Sequence, residues 1–527
     1  MHWARWGDPN ERAPLSGTTR ELVEAAFGPT DEHPVVPLDE VRLPDVGLAR
    51  DLLEELARIV GADHVQTDHE TRVRHTRGKS TPGLLRMRAG DGSDAPDVVV
   101  RPADHGEVAS VVTWCSEHGV ALVPFGGGTS VVGGLAAGGD GYAGVLALDL
   151  RRLDRLVSVD TESGIAVLDA GMLGPQAEDA LAEHGLTLGH FPQSFEYASI
   201  GGFAATRSSG QSSSGYGRFD SMVVGLTVAT PIGTLSLGSA PASAAGPDLR
   251  QLVLGSEGAF GVITSVTVRV RPVPPVKVYD GWRFDSFDAG LAAVRQLAQA
   301  GVAPTVLRLS DETETAVNLS SPDAVGGVST GSTTEGGVLL LAGFEGDRET
   351  VDASRALVGV RLRDAGGSPL GEEPGQSWVR GRFSAPYLRD SLLDRGVLVE
   401  TLETATFWSR LPDLYAAISA ALTGALADDS PLVLCHVSHV YPTGASLYFT
   451  VAAKQRENGV AQWTRAKRAA SDAIVAAGAT ITHHHAVGRD HLPWLAEEIG
   501  PVGVEILRAV KERLDPNGVL NPGVLVP

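Results

Sequence analysis

The stretch from residue 97 to residue 130 most restricts what this chain can fold into. "DVVVRP" reads as a strand, and "DHGEVASVVTWCSEHG" as an amphipathic helix that starts after Asp104 and stops at Gly119. "VALVPF" is then a second, buried strand, and it runs directly into "GGGTS". Together these make a tight βαβ unit. Glycine has no Cβ, so successive backbone N–H groups in such a turn can face one anion and approach it closely, as a pyrophosphate requires. The dinucleotide fingerprint G-x-G-x-x-G is not met, because counting from Gly126 and Gly128 the third glycine position is Val131. A glycine turn by itself also fits a tight hairpin.

The chain has 527 residues, which predicts two or more domains. Apolar residues make up 43% and charged residues 20%, the composition of a globular protein. No apolar run approaches the roughly 18 residues of a membrane span, and no signal-type apolar segment opens the chain, so a cytoplasmic protein is expected. Cys115 and Cys435 are too few for a disulfide framework and lack metal-ligand spacing, which leaves two core thiols. The formal charge of −21, from 43 basic and 64 acidic residues, disfavours nucleic acid and anionic lipid as partners. An anionic substrate must therefore be met by a few specific arginines.

Four regions are expected. Residues 1–90 read as capped helices and loops, with a helix over 48–61 ending at Gly61. Residues 91–275 carry the βαβ unit and further strands in "YAGVLALDL", "GIAVLDAG", "MVVGLTVAT" and "VITSVTVRV", with a helix between Pro175 and His184. The proline pair 274–275 ends that sheet pattern. Strands and helices alternate through 276–480, where "GGVSTGSTTEGG" reads as a mobile surface loop, and 481–527 closes the chain with a histidine-rich loop and an amphipathic helix.

Three further segments follow the glycine turn in order. "HFPQSFEYASIGG" and "ATRSSGQSSSGYG" supply small residues and hydroxyls, and "GSEGAFGVIT" places Glu257 between glycines before a strand. This order resembles the FAD-binding domain of the vanillyl-alcohol-oxidase superfamily. The resemblance implies an α+β fold: a two-subdomain PCMH-type FAD-binding domain, an α/β cap for substrate, and helical terminal segments. Implied FAD contacts are Pro124, Phe125, Gly126, Gly127, Gly128, Thr129 and Ser130 in the first segment and Gln193, Ser194, Ser199 and Gly202 in the second. Thr206, Ser208 and Ser209 follow in the third, and Glu257, Gly258, Gly261, Val262 and Ile263 in the fourth. The glycine loop lacks the histidine that tethers the cofactor in many members, so FAD is expected to be non-covalent. His190 reads as a hydrogen-bonded loop histidine.

Within that superfamily, "RWG…PLSG", "GGGTSV", "PQSFEYASIGGFAATRSSG", "APTVLRLSD", "YLRDSLLDRGVLVETLETATFW", "SLYFTV" and "HHHAVG" resemble the alkylglycerone-phosphate synthase branch. That branch exchanges the acyl group of an acyl-dihydroxyacetone phosphate for a long-chain alcohol. The exchange is redox-neutral, passes through a flavin N5 adduct, and serves ether lipid synthesis. The resemblance implies that Tyr448 is the acid/base and that Arg389 and Arg308 bind substrate, Arg389 also acting in catalysis. It places the essential histidine loop on His483, His484 and His485. It further implies a homodimer, with a lipid phosphate and a fatty alcohol as small-molecule partners.

These residue types suit that chemistry. An arginine fork binds two phosphate oxygens at once, and both arginines sit in apolar or β-type sequence where an unpaired one is costly. Tyrosine, with a reference pKa of about 10, needs a neighbour to act on a carbon-bound proton. Imidazoles relay protons near neutrality. Three adjacent histidines cannot all face one ion, so no metal is expected. An apolar helix in the N-terminal region could dock on lipid, giving peripheral membrane contact. Abundant glycine and alanine, with few lysines beside arginine, suggest a bacterial source.

The ending "DPNGVLNPGVLVP" instead matches the "LNPG" close of the superfamily's D-lactate and glycolate dehydrogenases. It keeps a second reading open, an FAD-dependent dehydrogenase or oxidase of a 2-hydroxy acid. A third, a catalytically silent binding module, sits poorly with the full tyrosine, arginine and histidine set.

Overall fold

The computed structural model describes residues 1–8, 15, 17–29, 31–136, 138–320 and 336–527. The "GGVSTGSTTEGG" stretch up to 335, and Pro14 and Ser16 of the "PLSG" motif, lie outside the described residues.

The βαβ unit forms as its sequence directs. The helix His105–His118 begins where the Asp104 carboxylate accepts the Glu107 N–H and ends at Gly119, whose φ of 65° suits a residue without Cβ. It joins Val98–Val100 to Val120–Phe125, with Gly144–Asp149 between them, all parallel. Val65–Gln66 adds an antiparallel edge, so the N-terminal region contributes a short strand besides its helices. The expected helix over 48–61 is Arg50–Val60, and it packs Leu56 and Val60 into this core.

A second, antiparallel sheet follows in the order Leu156–Asp160, Ile165–Asp169, Val262–Arg269, Val223–Thr230, Gly233–Leu237. Its apolar face closes on Ala177 and Leu181 of the helix Gly174–Ala182 and on Phe203 of the helix Ile200–Thr206.

The third sheet has eight antiparallel strands. Its main path runs Ser368–Gly371, Val276–Phe284, Val338–Gly346, Val306–Ser310, Leu432–Val437, Gly444–Lys454, Val397–Phe407, and Val440–Tyr441 pairs back on Gly444–Lys454. Along Gly444–Lys454, Leu447, Phe449 and Val451 are fully buried against helices, including Leu411–Ala425 and Gly459–Ala476. Strand alternation therefore turns Ser446, Tyr448 and Thr450 to the opposite face.

The chain then returns to the first sheet. After the helix Leu492–Leu514, kinked at Gly500, Val519 and Asn521 bracket Leu122 with two backbone hydrogen bonds of 2.8 Å. Cys115 and Cys435 are both buried free thiols.

Candidate active site

On the side of the first two sheets, the four glycine- and serine-rich segments converge. A Cβ at Gly127 would collide with the Tyr197 carbonyl, and one at Gly126 with the Ser199 hydroxyl, so glycine is required where these two segments meet. Ser199 caps the helix Ile200–Thr206 by accepting the Gly202 N–H at 3.2 Å, and Thr206 donates back to Gly202 O at 2.9 Å. The buried Ser130 Oγ, Gln193 Nε2 and Ser256 Oγ have no hydrogen-bond partner in the protein. Unpaired buried polar atoms beside a glycine turn are what a cradle for a polar cofactor leaves behind. His190 packs between Phe203 and Phe219 and shares a hydrogen bond with Ser208 Oγ at 3.0 Å. Burial lowers its pKa to about 3, so it is a neutral packed residue.

Glu257 is engaged differently from the rest. Its backbone has a φ of 50°, and its buried carboxylate accepts the N–H groups of Val487 at 3.1 Å and Gly488 at 2.7 Å. Burial raises its pKa to about 7. Its reach is toward the histidine loop. Asn521 Nδ2 donates to the carbonyls of Gly134 at 3.0 Å and Glu257 at 2.6 Å, so the "LNPG" ending pins the glycine segments together.

The eight-stranded sheet supplies the facing groups. In register, Tyr448 lies between Glu403 and His436. Its ring stacks on His436 at 4.9 Å and on His484 at 5.9 Å, and meets His485 edge-on at 5.6 Å. The histidine loop is thus brought onto Tyr448. His483 Nδ1 and His484 Nδ1 lie 3.1 Å apart, and His483 Nε2 lies 2.6 Å from the Tyr441 hydroxyl. His439 joins the cluster, stacked on His483 at 5.2 Å, with its Nδ1 2.6 Å from Ser213 Oγ on the flavin side. Ligand atoms of His439, His483 and His484 lie within 4.8 Å of one another. His439 comes from a separate hairpin, so the limit that keeps three adjacent histidines from facing one ion does not apply to this set.

Charge in this cluster is set by burial. Desolvation lowers the pKa of His483 and His485 to about 3, and that of His484 also falls, leaving neutral rings. Desolvation raises Tyr448 to about 12, so its hydroxyl stays protonated. Burial alone would also raise Glu403; the attraction of His484, His485 and His483 in their protonated forms, together with the Thr482 hydroxyl bond, lowers it instead.

Arg308 reaches the cluster through a neighbour. Its guanidinium lies 3.0 Å from His436 Nδ1 and donates to Glu314 at 2.8 Å. Arg308 and His436 overcome burial and bring Glu314 down to about 2. Arg389 is tied elsewhere and lies on a helix, Ala385–Leu393, not in β-type sequence. It donates to the Lys79 carbonyl at 2.7 Å and pairs with Asp390 at 3.3 Å, while the Lys79 N–H bonds Ser130 O at 2.7 Å. Its post is behind the glycine turn. Sequence reasoning missed Glu403, His436, His439 and Tyr441. The signal was present in two glutamates within "VLVETLETATF", where an apolar strand does not tolerate an idle carboxylate.

Known proteins are similar to this chain in sequence and in fold. The family description "FAD binding domain" matches residues 96–237, and "FAD linked oxidases, C-terminal domain" matches 273–525. Alkyldihydroxyacetonephosphate synthase of Dictyostelium discoideum is 33% identical over 514 residues, covering 94% of this chain and 84% of that one. A mitochondrial cytochrome-type D-lactate dehydrogenase of Arabidopsis thaliana is 26% identical over 486 residues, 91% of this chain and 80% of its own. A solved alkyldihydroxyacetonephosphate synthase superposes with a TM-score of 0.85 at 28% identity, covering 99% and 98% of the two chains. Substrate-bound p-cresol methylhydroxylase gives 0.69 at 17% identity over 91% and 98%, a likeness of fold. The fold is PCMH-type, the cofactor is FAD, and this chain belongs to the alkyldihydroxyacetonephosphate synthase family.

Proposed function

We propose that the protein exchanges the acyl group of an acyl-dihydroxyacetone phosphate for a long-chain alcohol. The products are an alkyl-dihydroxyacetone phosphate and a fatty acid, with no net redox change. One observation carries the reading. A protonated phenol, Tyr448, is packed on neutral imidazoles, His484 and His485, in a cluster whose His439 meets Ser213 of the serine-rich segment at 2.6 Å. FAD, bound non-covalently, would supply the electron-rich N5 centre that lets the acyloxy group on the substrate carbon leave and the alkoxy group take its place. Gly126, Gly127, Ser130 and Gln193 would hold it, since their missing Cβ atoms and unpaired polar atoms fit a polar cofactor. Pro124, Gly128, Thr129, Ser194, Ser208, Ser209, Gly258 and Gly261 lie on the same segments and would complete that lining, while Phe125, Val262 and Ile263, whose side chains are buried in the core, would contribute backbone only.

Tyr448 removes and returns a proton at the substrate carbon; a phenol with a pKa of about 12 is a weak acid that does not ionise by itself, so its own proton must first pass to a neighbour. His484 and His485, neutral at pH 7, are the acceptors. Arg308 retains N–H groups beyond its bond to Glu314 and would meet the phosphate. Arg389 would act from the flavin side, by fixing the Lys79–Ser130 contact.

The 2-hydroxy-acid reading drew on the "LNPG" ending, and Asn521 gives that ending a structural task in either chemistry. No helix among the described residues is long and apolar enough to cross a membrane. A peripheral membrane contact or a homodimer would use apolar surface such as Ile499, Val502 and Ile506, exposed along the last helix. A cytoplasmic, bacterial setting completes the reading. The test is anaerobic spectroscopy of the FAD-loaded protein. Palmitoyl-dihydroxyacetone phosphate should bleach the oxidised band and hexadecanol restore it, whereas bleaching by D-lactate alone would replace this proposal with the dehydrogenase.

A further inference from the structure

The loop that carries the three histidines has no regular secondary structure, yet it is held at both ends by buried carboxylates. Glu403, from the strand Val397–Phe407, accepts four hydrogen bonds. Oε1 takes the Thr482 hydroxyl at 2.6 Å, the His484 N–H at 3.0 Å and the His485 N–H at 2.9 Å; Oε2 takes the His483 N–H at 2.7 Å. Its side chain is completely shielded from solvent. Glu257, from the flavin side, takes the next N–H groups, those of Val487 and Gly488. Between the two anchors, Ala486 has a φ of 73°, a left-handed backbone that an L-residue keeps only when its surroundings impose it.

We propose that Glu403 is a positioning residue for the reaction: its carboxylate fixes the backbone of His483, His484 and His485 so that their rings converge on Tyr448, while Glu257 ties the same loop to the flavin domain. A carboxylate presents two acceptor oxygens and no donor, and this loop offers only donors. A glutamine in its place would set an NH2 group against an N–H. Glu403 is also a negative charge 3.5 Å from the His484 ring and 4.0 Å from the His485 ring, and removing it makes a protonated imidazole there less favourable. It therefore keeps the histidines more basic than their burial alone would. The groups that face it are Tyr448 from the neighbouring strand, His439 from the adjoining hairpin and Arg218, paired with Asp220, from the flavin domain. From the last helical region His491 faces it directly, and Lys467 acts on His485. Glu400 shares its strand and also acts on Tyr448. None of these replaces Glu403, because among the described residues no other group bonds the three loop N–H groups.

The inference rests on the histidine loop serving the exchange proposed above, but one of its readouts does not depend on any activity. In the FAD-loaded Glu403→Gln protein, amide hydrogen exchange over 482–486 should accelerate at least about tenfold, the effect of losing a hydrogen bond of ordinary strength. The flavin content should be unchanged, kcat should fall more than KM rises, and the acid limb of the kcat profile should move to lower pH. Thr482→Val removes one of the four bonds and keeps the charge; it should loosen exchange over the same residues and leave the limb in place. Unchanged exchange in either folded variant would overturn the positioning role whatever the substrate is. Faster exchange with an unmoved limb in Glu403→Gln would overturn the electrostatic part. Loosened exchange in a protein without alkyl-transfer activity would sustain the anchor and count against the proposed function.

Discussion

On the flavin side, the groups that shape the cleft sit in four short stretches, each readable by itself: a glycine turn, two serine-rich loops and "GSEGAFGVIT". On the cap side, a phenol and five imidazoles come from four separated places: His436, His439, Tyr448 and the 483–485 loop, held by Glu403 from a further strand. The flavin side works through backbone and absent side chains, so it is encoded locally. The cap side works through side chains placed by sheet register and burial, so its chemistry exists only after folding. The two sides should therefore fail in different ways.

The largest expected effect is on the flavin side. Gly127→Val puts side-chain atoms into the Tyr197 carbonyl and should give protein that purifies without flavin absorbance. If it kept full FAD content, the cradle would be elsewhere. Tyr448→Phe should do the reverse, retaining FAD while kcat falls by about 10²–10⁴-fold, the range for a positioned acid or base. Equal loss of flavin in both variants would erase the contrast.

Arg308→Ala leaves Glu314 buried without its cation, which should cost about 3–5 kcal/mol in denaturant unfolding and raise KM for the phosphate substrate. A stability loss with no KM change would confine Arg308 to an ion pair. The pH profile sharpens the same side. In the proposed reaction the histidines are neutral bases whose pKa values burial pushes below 6.5, so activity should persist below pH 6.5 and fall only as the rings protonate at lower pH. Tyr448, raised to about 12, should give no limb between pH 7 and 10. An acid limb at the ordinary histidine value would mean that the cluster is solvated. The smallest effect is expected at the join. Asn521→Ala removes two hydrogen bonds and should cost about 1–3 kcal/mol, seen as a lower melting temperature with chemistry intact.

The same contrast explains what the sequence disclosed. The helix 105–118 and the strand 120–125 have the bounds their caps and apolar runs predict, because Asp104 and Gly119 act on immediate neighbours. Tyr448 was legible from its pattern only as a strand residue; its candidacy as acid/base came from the family resemblance. Glu403 was not, because its meaning lies in the Thr482–His485 donors about eighty residues away in the chain. His439 is similar: it becomes part of the site only when Ser213 is brought across from the flavin side. The "LNPG" ending resembles that of another branch, and a D-lactate dehydrogenase is among the relatives. The asparagine of this ending bonds backbone carbonyls that any substrate chemistry on this fold could share.

The account stands or falls on exchange without electron transfer. The most direct measurement is product analysis of the FAD-loaded protein under anaerobic conditions, with palmitoyl-dihydroxyacetone phosphate, hexadecanol and no electron acceptor. The account predicts many turnovers, with hexadecyl-dihydroxyacetone phosphate and palmitate formed in equal amounts. No ether product under these conditions, together with acceptor-dependent oxidation of a 2-hydroxy acid, would contradict it.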